Sequence, residues 1–153
     1  ISNLLNYENY GEVSNMNNIL DFLVNILDPS ISMVIFISDF LNINEFSKSK
    51  LEKLGWHFET VAIMVKDPLD MTLPDINKEI ILEDSKSHEK LIINPKIAKK
   101  SYELNSEMQT KHIEKILRES NIDLLKLDIK NDFYYELAMF LKRRFGGINK
   151  NVL

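Results

Sequence analysis

The chain has 153 residues, 44% hydrophobic and 27% charged, with a formal net charge of −4. That length suits one domain, and the composition excludes disorder. The acidic balance excludes a broad nucleic-acid surface, because phosphate binding needs a basic face. With no cysteine, disulfides, thiolate catalysis and Cys-ligated zinc are excluded together, which fits a reducing, cytoplasmic setting.

The sequence starts at Ile1, which suits a piece of a longer chain. Residues 1–11 have weak periodicity and read as the tail of a preceding element and a loop ending at Gly11. From Glu12 the pattern turns helical. Val13, Met16, Leu20, Leu23 and Leu27 recur at three- and four-residue steps, widened by Ile19 and Val24. Asp28-Pro29 ends this helix, since proline disfavours a helical residue before it.

Met33 to Ser38 is a short apolar run between turn signals, rich in β-branched and aromatic residues. It reads as a strand covered on both faces in a parallel sheet. A short helix is predicted over Ser47 to Leu54, with Ser47 as N-cap and Gly55 just past its end. Trp56 reads as a packing anchor. His57 to Val65 is the second strand, and Asp67 to Pro74 a proline-bounded loop.

EIILED and KLIIN then flank a polar connection, the pattern of a β-hairpin. Pro95 opens a long helix to about Ser120, with Ile97, Leu104, Met108, Ile116 and Leu117 on its inward side. Asp123 to Ile129 is the third strand. Asn131 caps a last helix whose inward residues are Phe133, Leu137, Phe140 and Leu141. Lys142, Arg143 and Arg144 close that helix before Gly146-Gly147 and read as a solvated basic end. Buried strands alternating with amphipathic helices give an α/β fold: parallel strands plus a β-hairpin, over a single domain spanning 1–153.

Sheets of this kind hold ligands outside the carboxyl ends of their strands. Here those ends carry Ser38-Asp39, then Asp67 and Asp70, then Asp128 near Asn131 and Asp132. Carboxylates and hydroxyls are hard oxygen ligands suited to Mg²⁺, Mn²⁺ or Ca²⁺. The same residues also make turns and helix caps wherever strands end, so both roles stand open for Asp39, Asp67 and Asp70. Asn131 and Asp132 read as caps. His57, His88 and His112 share no metal-ligand spacing, and no GxSxG, GxGxxG or P-loop motif occurs.

The pieces VIFISDF, AIMVKDPLD, LPDINKEIILEDSKSHEKLIIN, IDLLKLDI and ELAMFLKRR, in this order, resemble the C-terminal half of the family called domain of unknown function fifty-eight, which is von Willebrand factor A-like. The resemblance runs from about residue 15 to about residue 145. Asp70 stands where the family more often has Glu. The resemblance implies a Rossmann-like, three-layer, partial von Willebrand A fold. It also implies a metal-ion-dependent adhesion site in which Asp39 contributes one ligand to a Mg²⁺ ion, with Ser38, Asp67 and Asp70 on the rim. The family's DxSxS motif and its loop threonine have no counterpart here, so the site is partial.

In such a fold the strand VIFIS pairs with an earlier strand. Without that neighbour, strand 33–38 is an open hydrophobic edge that invites self-association or cover by the N-terminal residues. The resemblance further implies a non-enzymatic protein-interaction module working with a MoxR-type AAA+ ATPase. The alternative is a metal-dependent phosphoryl-transfer or nuclease-like domain using Asp39, Asp67 and Asp70 as an acidic triad. A third reading is a structural domain whose site is degenerate.

Overall fold

The computed structural model describes residues 16–83, 88–129 and 132–145. The expectations for residues 1–15, for the turn at 84–87, for Asn131 as a cap and for Gly146-Gly147 lie outside the described residues. The elements run α1 (Met16–Ile26), β1 (Met33–Ser38), α2 (Glu45–His57), β2 (Glu59–Lys66), α3 (Pro68–Met71), β3 (Ile80–Glu83), β4 (Lys90–Ile93), α4 (Pro95–Glu119), β5 (Asp123–Asp128) and α5 (Phe133–Phe145).

β1, β2 and β5 form a parallel sheet in the order β1-β2-β5. β3 and β4 pair antiparallel, with Ile80 opposite Ile93 and Glu83 opposite Lys90. The chain steps across the sheet in one direction. Right-handed crossovers therefore put α2 and α4 on the same face.

Two cores follow. On one face Leu20 of α1, Leu51 and Leu54 of α2, and Ile113, Ile116 and Leu117 of α4 pack on Ala62, Met64 and Leu124. On the other face Leu137 and Phe140 of α5 pack on Val61, Ile63, Val65, Leu125 and Leu127. The result is a Rossmann-like three-layer arrangement with an added hairpin. β2, the middle strand, is apolar and buried on both sides from Val61 to Met64.

Several local expectations are corrected. Asn44, not Ser47, caps α2. Its side chain accepts from the Phe46 and Ser47 amides, and Ser47 completes a capping box by accepting from the Asn44 amide. α2 runs through Gly55 to His57, so His57 ends a helix instead of opening a strand.

Gly55 is needed because the backbone carbonyl of Ser120 occupies the place of a Cβ. Just past the end of α4, Asn121 takes a φ of 57° and its side chain donates to the Gly55 carbonyl at 2.8 Å. Trp56, beside it, is 72% exposed and so is not part of the core, contrary to its reading as a packing anchor.

The segment Asp67 to Pro74 contains a helical turn, α3, started by Asp67. β1 is not covered on both faces: Ile35 and Ile37 are 51% and 70% exposed. The first half of α4 extends beyond the sheet, so Ile97, Leu104 and Met108 are exposed, while Ile116 and Leu117 are core. Arg144 does not belong to a solvated basic end. It turns back to Asp123 and to Glu59, with Nη2 3.1 Å from Glu59 Oε1, tying α5 to the starts of β2 and β5.

Candidate functional site

The carboxyl ends of the three parallel strands form one rim, and each acidic residue there has a defined local task. β1 ends in an apolar-to-polar switch at Ser38-Asp39. The Ser38 hydroxyl accepts from the Phe40 amide at 3.0 Å, and Asp39 Oδ1 accepts from the Leu41 amide at 3.1 Å. These two turns hold Phe40 at φ 57°, a backbone region that a bulky residue rarely enters. Burial of the Phe40 ring in the core, 1% exposed, offsets that cost. Asp39 itself is exposed.

β2 ends in Lys66, and Asp67 then caps α3. Asp67 Oδ1 accepts from the Leu69 amide at 2.8 Å, and Asp70 Oδ2 accepts from the Asp67 amide at 3.0 Å. Pro68 at the first helical position completes this start signal. The short helix is docked on α4: Tyr102 donates to the Leu69 carbonyl at 2.9 Å and Ser106 to the Asp70 carbonyl at 2.8 Å.

The residue that draws the rim together is Lys66, which sequence reasoning missed. It is 8% exposed, and its ammonium donates to the Thr110 hydroxyl of α4. Burial pushes its pKa below the ordinary lysine value, while Asp70, Glu114 and Asp39 pull it back up. The available signal was a cation placed directly after a wholly apolar strand, VAIMVK.

Asp39 and Asp70 both lie just past the strand ends, where their charges favour the Lys66 ammonium, which is itself bonded to Thr110. Among the described residues no group of three His, Asp or Glu side chains is placed to hold a metal ion. Asp67 and Asp70 are committed to the backbone of α3, and Lys66 already brings positive charge to the same place. This donor set does not fit a divalent cation, nor a two-metal hydrolytic centre. Asp128 lies at the end of β5, opposite Lys66 in the register.

On the α5 side a cleft of about 310 Å³ opens at the same ends of the strands. It is lined by Ile37, Ile63, Val65, Leu127, Ile129, Phe133 and Leu137, with Asp128 at its rim. It exists because α5 covers β2 and β5 but not β1. Its size is in the range of a small-ligand or side-chain pocket, and its walls are almost wholly apolar.

No helix among the described residues is long and apolar enough to cross a membrane. No curated protein and no solved structure is similar enough to the chain to match it. The family model described as protein of unknown function DUF58 matches residues 1–113, from the N-terminal residues into the last third of α4. That span holds the two strand-end sequences ISDF and KDPLD, the hairpin, and the Lys66 rim built on them, and it covers well over half of the chain, which therefore belongs to the DUF58 family.

Proposed function

We propose that this chain is a non-enzymatic protein-interaction module whose binding surface is the β1 flank. The observation that carries the reading is the sheet edge at β1, which is unpaired among the described residues. This uncharged strand has Ile35 and Ile37 bare on the α5 side and continues into the apolar cleft. Open hydrophobic edges recruit a further chain, and strand addition is a common mode of peptide recognition.

The von Willebrand A-like resemblance supports the same direction and suggests a MoxR-type AAA+ ATPase as the partner. Asp39 and the α3 turn bound this surface at the strand ends.

The test measures binding of the purified chain to a MoxR-type AAA+ ATPase by interferometry. Binding that weakens about tenfold or more in an Ile35→Lys/Ile37→Lys variant supports the reading. Absence of binding, together with Mg²⁺-dependent hydrolysis of a phosphodiester lost in Asp39→Ala, replaces it with the enzymatic alternative.

A further inference from the structure

α4 carries apolar residues on two opposite sides. Ile113, Ile116 and Leu117 enter the core, and on the same side Tyr102 and Ser106 hold α3. Ile97, Leu104 and Met108 lie about half a turn away and are 80%, 51% and 68% exposed.

Their spacing is specific. Ile97, Ser101, Leu104 and Met108 follow one another at steps of four, three and four residues. That alternation is the seam of one helix laid along another. The seam runs for roughly 16 Å and stops where its next two positions are Lys111 and Lys115.

The residues beside the seam define what lies against it. One flank carries Lys100 and Glu107, both exposed, and the other carries the neutral pair Ala98 and Asn105. Let a second α4 lie antiparallel, with Ile97 over Met108 and Ser101 over Leu104. The flank positions that then meet are Lys100 with Glu107 on one side and Ala98 with Asn105 on the other, each twice by symmetry. Opposite charges meet and like charges do not. Glu107 also holds Lys111 of its own helix at 2.6 Å, and its two oxygens can accept from both cations. A parallel pair would set Lys100 against Asn105 and align the two helix dipoles unfavourably. Ser101 under Leu104 lets large meet small at the centre, and Ala98 leaves room for close approach.

We propose that this outer face of α4 is a self-association surface. Two copies of the chain pair their α4 helices antiparallel about a twofold axis that passes between Ser101 and Leu104. A twofold interface needs a patch complementary to itself, and the order of charges here supplies one. This half of α4 extends past the sheet, so the two bodies come to lie toward opposite ends of the helix pair. Each copy contributes only three apolar side chains, which places the contact at the low end of interface sizes and makes the dimer reversible. The surface is separate from the β1 flank, so the inference stands or falls independently of the interaction reading above.

The test is sedimentation velocity on the full 153-residue chain from micromolar to near-millimolar concentration. A reversible monomer–dimer equilibrium is expected. Leu104→Glu should abolish the dimer without changing the melting temperature, because the side chain is exposed in the single chain. Lys100→Glu and Glu107→Lys should each weaken the dimer about fivefold or more, and the double swap Lys100→Glu/Glu107→Lys should restore it.

A monomer throughout this range overturns the proposal. So does a dimer that persists in Leu104→Glu, and Ile35→Lys then tests whether β1 holds it instead. A dimer dissolved by Leu104→Glu but not restored by the double swap overturns the antiparallel register.

Discussion

Lys66 and Thr110 meet across the boundary between the central strand and α4, the ammonium donating to a hydroxyl that itself donates to the Ser106 carbonyl at 2.7 Å. This contact closes the top of the first core. It also joins α3, through Asp70 and Ser106, to the end of the sheet.

A buried ammonium with one good partner is costly to orphan and cheap to delete. Thr110→Val should lower stability by about 1–3 kcal/mol, because the buried ammonium loses its hydrogen-bond acceptor. Lys66→Met keeps the shape and removes the charge, and should fall within about 1 kcal/mol of the parent. Urea unfolding midpoints at neutral pH check both.

The same residue predicts a pH dependence. Burial lowers the folded-state pKa of Lys66 below its ordinary value of 10.5. Between the lowered value and the ordinary one, the unfolded chain binds more protons than the folded chain, so this group's contribution rises with pH across that window. Tyr102 acts oppositely: burial raises its pKa above the ordinary 10.0, so its contribution falls as pH climbs past that value. The difference in stability between the parent and Lys66→Met isolates the lysine, and the parent should gain relative to the variant as pH rises from neutral toward 10.5.

Gly55→Ala places a methyl group on the Ser120 carbonyl oxygen. α2 must shift away from the α4–β5 turn, and the hydrogen bond from Asn121 to the Gly55 carbonyl goes with it. A loss of about 3 kcal/mol is expected, visible as a lowered melting temperature in calorimetry.

The basic end of α5 divides by direction. Arg144 is 15% exposed at its side chain and reaches both Glu59 and Asp123, whereas Lys142 and Arg143 are exposed. Arg144→Ala should cost about 1–3 kcal/mol, and Lys142→Ala and Arg143→Ala less than about 0.5 kcal/mol each. Chemical denaturation of the three variants separates them.

Asp39 and Asp67 are predicted to act through backbone geometry. Asp39→Asn retains an oxygen for the Leu41 amide and should be near neutral. Asp67→Ala removes the start of α3 and should cost about 0.5–2 kcal/mol. Millimolar Mg²⁺ should leave the melting temperature of the parent and of Asp39→Asn unchanged. A Mg²⁺-dependent rise in the parent, lost in Asp39→Asn, would show a cation site that these donors do not suggest.

Much of this architecture was legible in the sequence. The apolar runs at 33–38 and 61–65, the hairpin, Pro95 opening α4 and the Asp-rich strand ends are local patterns, and the fold uses them as written. The errors cluster where a local pattern serves a distant partner. Gly55 looked like a helix end because glycine ends helices, yet it sits inside α2 to admit the Ser120 carbonyl. Ile97, Leu104 and Met108 hold helical spacing, but α4 outruns the sheet that its second half covers. Arg144 looked like one cation among three, and only the placement of β2 and β5 singles it out.

The sequence by itself determined the order of elements, the parallel pairing implied by doubly apolar strands, and the acidic strand ends, because hydrophobic periodicity and turn chemistry act over a few residues. Only the tertiary structure decided that Lys66 is buried against Thr110 of α4, that Ile35 and Ile37 lie bare on a face that α5 does not cover, and that Arg144 ties α5 to β2 and β5. Those facts depend on how many helices lie on each face of the sheet, which is set by contacts between segments far apart in the chain.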